Sequence, residues 1–215
     1  MGSTNLVATE SFLIKQAVQT VSSNLITLST EWLAAGHADE VFTIVPTGAG
    51  FTVLVADLEL AIDLLEQNPG DETGGGFMSR SDIIDYYEAN TAKVAFIESR
   101  LAAVRTSLSE GLGIPESQFI KVPVAFSVAG WSLNAPKAGT FLPNSVNMLV
   151  VKNSSGTRRL VIPFPYFDPF LEDLVPKLTT IGFAAGTEIR AICTTEPHSV
   201  AGEVHCATIS RRVAP

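Results

Sequence analysis

The sequence predicts an α/β fold, with residues 1–215 read as a single domain. Short β-prone segments alternate with stretches of helical period along most of the chain. The order strand pair, helix, strand recurs, which is how helices come to pack on small sheets. With 46% hydrophobic and 17% charged residues, the chain has enough apolar side chains for one sizeable core.

The elements follow in order. Glu10 to Val21 carries Phe12, Leu13, Ala17, Val18 and Val21 near helical spacing and reads as a helix. Asn24 to Leu28 alternates and is β-prone, which predicts a strand. Val41 to Val45 is the next strand, ended by a hairpin turn at Pro46-Thr47-Gly48-Ala49-Gly50, and Phe51 to Val55 returns. Asp57 to Gln67 is an amphipathic helix. Asn68 to Gly76 has five Gly or Pro in nine residues. No Lys-Ser/Thr pair follows it, so it reads as a surface loop rather than a phosphate cradle.

Ser81 or Asp82 is expected to cap one long helix to about Glu110. Its core stripe is Val94, Ile97, Leu101, Val104 and Leu108, and Gly111-Leu112-Gly113 stops it. Phe119 to Phe126 and Val146 to Val151 read as strands joined by an irregular stretch. Asn153 to Gly156 is a turn leading to a strand at Leu160 to Ile162. Asp168 to Thr180 is a helix, and Glu188 to Cys193 and Cys206 to Ser210 are the last strands.

The net charge of −8 argues against nucleic acid or an anionic membrane as partner and suits a cationic substrate. No uninterrupted apolar run reaches the ~18 residues of a membrane span. Met1 to Asn5 lacks the layout of a signal peptide, and two cysteines make no disulfide framework, so a reduced, cytoplasmic setting is expected. Mean hydropathy of +0.29 is high for so few charges. It predicts either a large core or an apolar surface covered by something else.

Two segments carry chemistry. Upstream, His37 and Asp39 are two residues apart; on a strand or extended turn they face one way, pairing proton transfer with charge stabilisation. Near the other end, Cys206 follows Gly202 and precedes Arg211-Arg212, which suits an activated thiol if the arginines fold nearby. The competing reading of Cys206 is a small buried hydrophobe, and of His37 a hydrogen-bonded side chain at a strand end. His205 adjoins Cys206, so in an extended segment the two side chains diverge, which favours a structural role for His205. His198 follows Pro197 and is expected in a loop, solvated or near substrate. No C-x-x-C, H-x-x-x-H or H-E-x-x-H spacing supports a metal site.

The segments Trp32-Leu33-Ala34-Ala35-Gly36-His37-Ala38-Asp39-Glu40 and Gly202-Glu203-Val204-His205-Cys206 resemble two active-site signatures of the protein-arginine deiminases. Between them, Phe141-Leu142-Pro143-Asn144-Ser145-Val146-Asn147-Met148-Leu149-Val150 is similar to a third family stretch. Gly111-Leu112-Gly113 after a long helix, followed by Phe119-Ile120 and Val122-Pro123, is a fourth. The order holds from about residue 10 to Arg212.

The resemblance implies a pentein-like α/β propeller, here an incomplete ring of about three ββαβ modules. It implies conversion of peptidyl-arginine to peptidyl-citrulline, with Cys206 as nucleophile, His37 as general acid/base and Asp39 gripping the guanidinium. An arginine-containing protein or peptide is the implied substrate. A portion of the family's length, or a second copy of the chain, would complete the ring.

The chain departs from the family pattern in three ways. A further family Asp, upstream of the His-x-Asp motif, has no counterpart in this sequence. Ca2+ is a cofactor by family resemblance, but its ligands are not expected in this chain. The Arg-His pair that often precedes Gly202 is Val200-Ala201. The expected activity of the isolated chain is therefore weak or nil. Two other readings remain: a non-enzymatic remnant binding arginine-rich peptides or a partner, and a free guanidine or arginine hydrolase.

Overall fold

A hairpin, a helical crossover and a strand returning parallel to the hairpin's second strand form the repeating motif of this chain. The computed structural model describes residues 26–48, 50–129, 137–152, 157–199 and 203–205. In the first unit, β1 (Phe42–Thr47) pairs antiparallel with β2 (Gly50–Asp57). Three helices follow, α1 (Leu58–Gln67), α2 (Arg80–Ala89) and α3 (Thr91–Leu112), and β3 (Ile120–Pro123) then returns parallel to β2. A second hairpin joins β4 (Phe126–Ala129) to β5 (Lys137–Thr140), and Leu33 bridges in parallel to Ala138 on its outer side. The second full unit is β6 (Leu149–Lys152) antiparallel to β7 (Arg158–Pro163), then α4 (Asp168–Thr180), then β8 (Ile189–Ile192) parallel to β7. A short helix, α5 (Thr195–Ser199), follows.

Local chemistry sets these boundaries. Asp57 ends β2 and starts α1, because its Oδ1 accepts the Leu60 N–H at 2.8 Å. Its other oxygen is buried against Lys121 Nζ at 2.8 Å, which ties β3 beside β2. Gly113 stops α3 in a left-handed conformation, φ 66°, where a side chain would be strained. Pro169 sits in the first turn of α4, where its missing N–H costs nothing. Phe170, Leu174 and Leu178 point inward from that helix to one apolar core shared with α1, α3 and the strands. Phe126, Phe167, Phe170 and Phe183 are its largest fully buried side chains.

The mixed α/β class and most element positions agree with the sequence reading, and the differences have local causes. The single long helix is two. Ser79, not Ser81 or Asp82, caps the first by accepting from Asp82 N. The chain then breaks at Asn90, whose amide donates to Tyr86 O while its N–H bonds Tyr87 O. Phe119 to Phe126 divides into β3 and β4, which belong to different sheets, and the irregular stretch after it contains β5. The strand placed at Val146 begins only at Leu149, because Asn144 Oδ1 accepts the Val146 N–H and turns the chain. Ile26, Thr27 and Leu28 are in no strand, and Ile26 packs instead against Gly111, where an added Cβ would lie 2.4 Å from it. The helix at Glu10 to Val21, the turn at Asn153 to Gly156 and the strand at Cys206 to Ser210 lie outside the described residues.

Candidate active site

His37 and Asp39 do not sit on a strand. His37 is an extended residue leading into a 3-10 turn, Ala38–Glu40, that precedes β1. The His37 N–H donates to Glu40 Oε1 at 2.8 Å, and the Glu40 N–H returns to His37 O at 3.3 Å. Burial pushes the Glu40 carboxyl above its ordinary pKa, against the lowering pull of the His37 N–H. The His37 side chain is exposed and Asp39 is half-buried.

The other end of the chain reaches this turn. His205 Nδ1 lies 2.6 Å from Asp39 Oδ2, a contact spanning 166 positions. The adjacency that argued for a structural His205 thus places it on the acid of the His-x-Asp motif. Cys206, the next residue, lies outside the described residues, as do Gly202, Arg211 and Arg212.

A loop between β5 and β6 holds both segments together. Asn144 Nδ2 donates to Glu40 O at 2.7 Å, and Asn147 Nδ2 approaches Asp39 O at 3.4 Å. On the other side Asn147 Oδ1 accepts the His205 N–H at 2.8 Å, and Glu203 Oε1 accepts the Asn144 N–H at 3.1 Å. Asn144 and Asn147 are both buried, so these bonds replace water the amides have lost. The loop is itself fixed by Thr43 Oγ1 donating to Val146 O at 2.6 Å and Ser145 Oγ donating to Pro163 O at 3.1 Å. It is a bracket whose two amides join chain segments some sixty and more than a hundred positions away.

His198 is not in a loop. It lies on α5, half-buried, with Nδ1 2.6 Å from Glu203 Oε1 and its ring edge-on to Phe77 at 5.2 Å. Phe77 stacks in turn on Tyr166, 5.1 Å away, whose backbone O accepts the Gly74 N–H. Gly74, Gly75 and Gly76 are exposed, so the glycine-rich stretch is a surface loop, as its sequence predicts, with its backbone resting on Tyr166. A Cβ on Gly75 would sit 2.7 Å from the Tyr166 ring. Tyr166 OH also meets Cys193 Sγ at 2.5 Å and Thr195 Oγ1 at 2.9 Å. The Thr195 and Tyr166 hydroxyls lower the pKa of the exposed Cys193 thiol.

Sequence reasoning singled out His37 and Asp39 but missed the bracket and Glu203. The available signal was Asn144-Ser145-Val146-Asn147, two amides around a turn inside a family-like stretch. Among the described residues no group of three or more His, Cys, Asp or Glu is placed to hold a metal ion. No helix of the described residues is long and apolar enough to cross a membrane.

The sequence matches a known family. A family profile described as protein-arginine deiminase (PAD) covers residues 2–214. The chain is 32% identical over 222 residues to protein-arginine deiminase type-4 of Mus musculus, covering 95% of this chain and 31% of that protein. It is 29% identical over 220 residues to the type-4 protein of Homo sapiens, with coverages of 95% and 31%. Against the Homo sapiens type-3 protein it is 28% identical over 202 residues, with coverages of 85% and 29%. The chain belongs to the protein-arginine deiminase family, and it spans just under a third of the length of these relatives.

Proposed function

We propose that this chain supplies the nucleophile, the general acid/base and one carboxylate of a protein-arginine deiminase site. The observation that carries the reading is the 2.6 Å contact of Asp39 with His205, because it brings the residue before Cys206 onto the His37-x-Asp39 motif. An imidazole, a carboxylate and a neighbouring thiol segment at one place are the groups the reaction needs.

The Cys206 thiolate attacks the guanidinium carbon of a peptidyl-arginine, forming a carbon–sulfur bond and a tetrahedral adduct. His37 gives its proton to the departing nitrogen, and ammonia leaves a covalent thiouronium. His37, now neutral, takes a proton from water as that water attacks the same carbon. The carbon–sulfur bond breaks, the hydroxyl proton passes to solvent, and peptidyl-citrulline and the thiolate remain. Asp39 holds the planar cation by charge-assisted hydrogen bonds, and the acidic chain favours a cationic substrate.

The two complete ββαβ units and the β4–β5 hairpin support an arc of about three modules of a pentein-like ring. We place the second gripping carboxylate in the part of the family's length that the match does not cover. The isolated chain then forms little or no citrulline, because half of the guanidinium grip is absent and water enters the site.

The test is alkylation by chloroacetamidine, a planar cationic reagent, mapped by peptide mass spectrometry. Labelling of Cys206 that depends on His37 supports the reading. No labelling favours a non-enzymatic remnant that binds arginine-rich peptides. Robust citrulline formation from an arginine peptide by the chain alone would refute the incomplete grip, and turnover of free arginine alone would move the assignment to a small-guanidine hydrolase.

A further inference from the structure

Glu203 is an expensive residue for the place it occupies. Its side chain is almost fully buried, with 8% of its surface exposed. Oε1 alone takes both donors, the Asn144 N–H at 3.1 Å and His198 Nδ1 at 2.6 Å. Oε2 is buried and, among the described residues, has no hydrogen-bond partner. A carboxylate removed from water with half its acceptors unused is a poor structural tie, since a neutral side chain would lose less hydration.

Its position explains what the cost obtains. Glu203 stands three residues before Cys206 and two before His205, in the segment that touches Asp39. Through the Asn144 N–H it grips the residue whose side-chain amide donates to Glu40 O, next to Asp39. Two hydrogen bonds therefore connect the nucleophile-bearing segment to the acid/base turn. His198 fixes the carboxylate from the far side, and is itself fixed by Phe77 and by its helical N–H bond to Thr194 O at 2.8 Å.

We propose that Glu203 is a positioning residue: with His198 as its anchor, it sets the Cys206 segment in register with His37 and Asp39 through the Asn144–Asn147 bracket. The proposal rests on the deiminase reading above. It assigns Glu203 no contact with substrate.

The experiment measures alkylation of the full chain by chloroacetamidine, separating the maximal inactivation rate from the half-saturating concentration, with iodoacetamide as the neutral reagent. Cys193, in the same molecule, is the internal reference. Glu203→Ala is expected to lower the maximal rate at Cys206 about tenfold or more, as loss of a buried charged hydrogen-bond acceptor does. Half-saturation moves less than about threefold, and Cys193 is unaffected. Glu203→Gln, which keeps an acceptor for the Asn144 N–H, recovers to within about threefold of the parent.

His198→Gln decides the matter if Glu203→Ala does not fold, and is expected to slow the reaction about threefold at an unchanged thermal midpoint. Unchanged rates in these variants, or equal slowing of both reagents at both cysteines, would overturn the proposal. If the parent Cys206 shows no preference for chloroacetamidine over iodoacetamide, the deiminase reading fails and this inference goes with it. If the preference survives Glu203→Ala, only this inference fails.

Discussion

The two ββαβ units and the junction between them are held by different forces. Each unit is an apolar assembly. Leu54, Leu58 and Leu65 in the first, and Leu160, Phe170 and Leu174 in the second, are fully or almost fully buried, and their backbones are satisfied by ladders and helices. The junction is polar. Asn144, Asn147 and Glu203 are as buried as the core, yet they join segments by side-chain hydrogen bonds to distant backbone. Burial of apolar area is non-directional and tolerates small shifts. A network of directional bonds specifies one arrangement and loses it when one member is removed. Substitutions in the units should therefore act on stability, and those in the junction on the chemistry of Cys206.

The largest expected effect is in a unit. Phe170→Ala removes a ring buried in the second unit beside Phe167, and should cost about 3–5 kcal/mol in a denaturant titration. The alkylation preference of Cys206 in the fraction that remains folded should not change. In the junction the order reverses. His37→Ala should slow chloroacetamidine labelling of Cys206 by about a hundredfold, the scale of a lost acid/base group, with the thermal midpoint nearly unchanged because His37 is exposed.

Asn147→Ala cuts the bond to His205 N and the approach to Asp39 O; labelling should fall about tenfold for a stability loss of about 1–2 kcal/mol. Gly75→Ala sharpens the boundary between the two regions. Gly75 has φ 69° and lies against the Tyr166 ring, so a methyl group is both strained and crowded. The cost should be about 1–3 kcal/mol by thermal unfolding, read together with any change at the neighbouring His198. Ser79→Ala is the smallest and purely structural case: it removes the α2 cap, for about 1 kcal/mol and no effect on Cys206.

The same contrast explains what the sequence made legible. The hairpin at Thr47–Gly50, the helix Asp168–Thr180 and the stripe Ile97, Leu101, Val104 and Leu108 were readable because period and turn chemistry are local. The break at Asn90 was obscured because the apolar stripe continues through it while the backbone does not. The junction was not readable from spacing, since His205 and Asp39 are brought together only by two units of tertiary structure. Resemblance to the family supplied the pairing of the two end segments. It did not supply Glu203, His198 or the two asparagines, whose roles depend on which carbonyls they reach.

His205 brings the far segment of the chain onto the His37–Asp39 turn, and one site at that contact is what the proposed chemistry requires. A crystal structure of the chain after chloroacetamidine alkylation tests it most directly. The amidine is expected on Cys206 Sγ, its nitrogens facing the Asp39 carboxylate and the His37 ring, with His205 still against Asp39. An alkylated Cys206 on the opposite side of the molecule from that turn, or a Cys206 sulfur sealed in the apolar interior and unmodified, would contradict it.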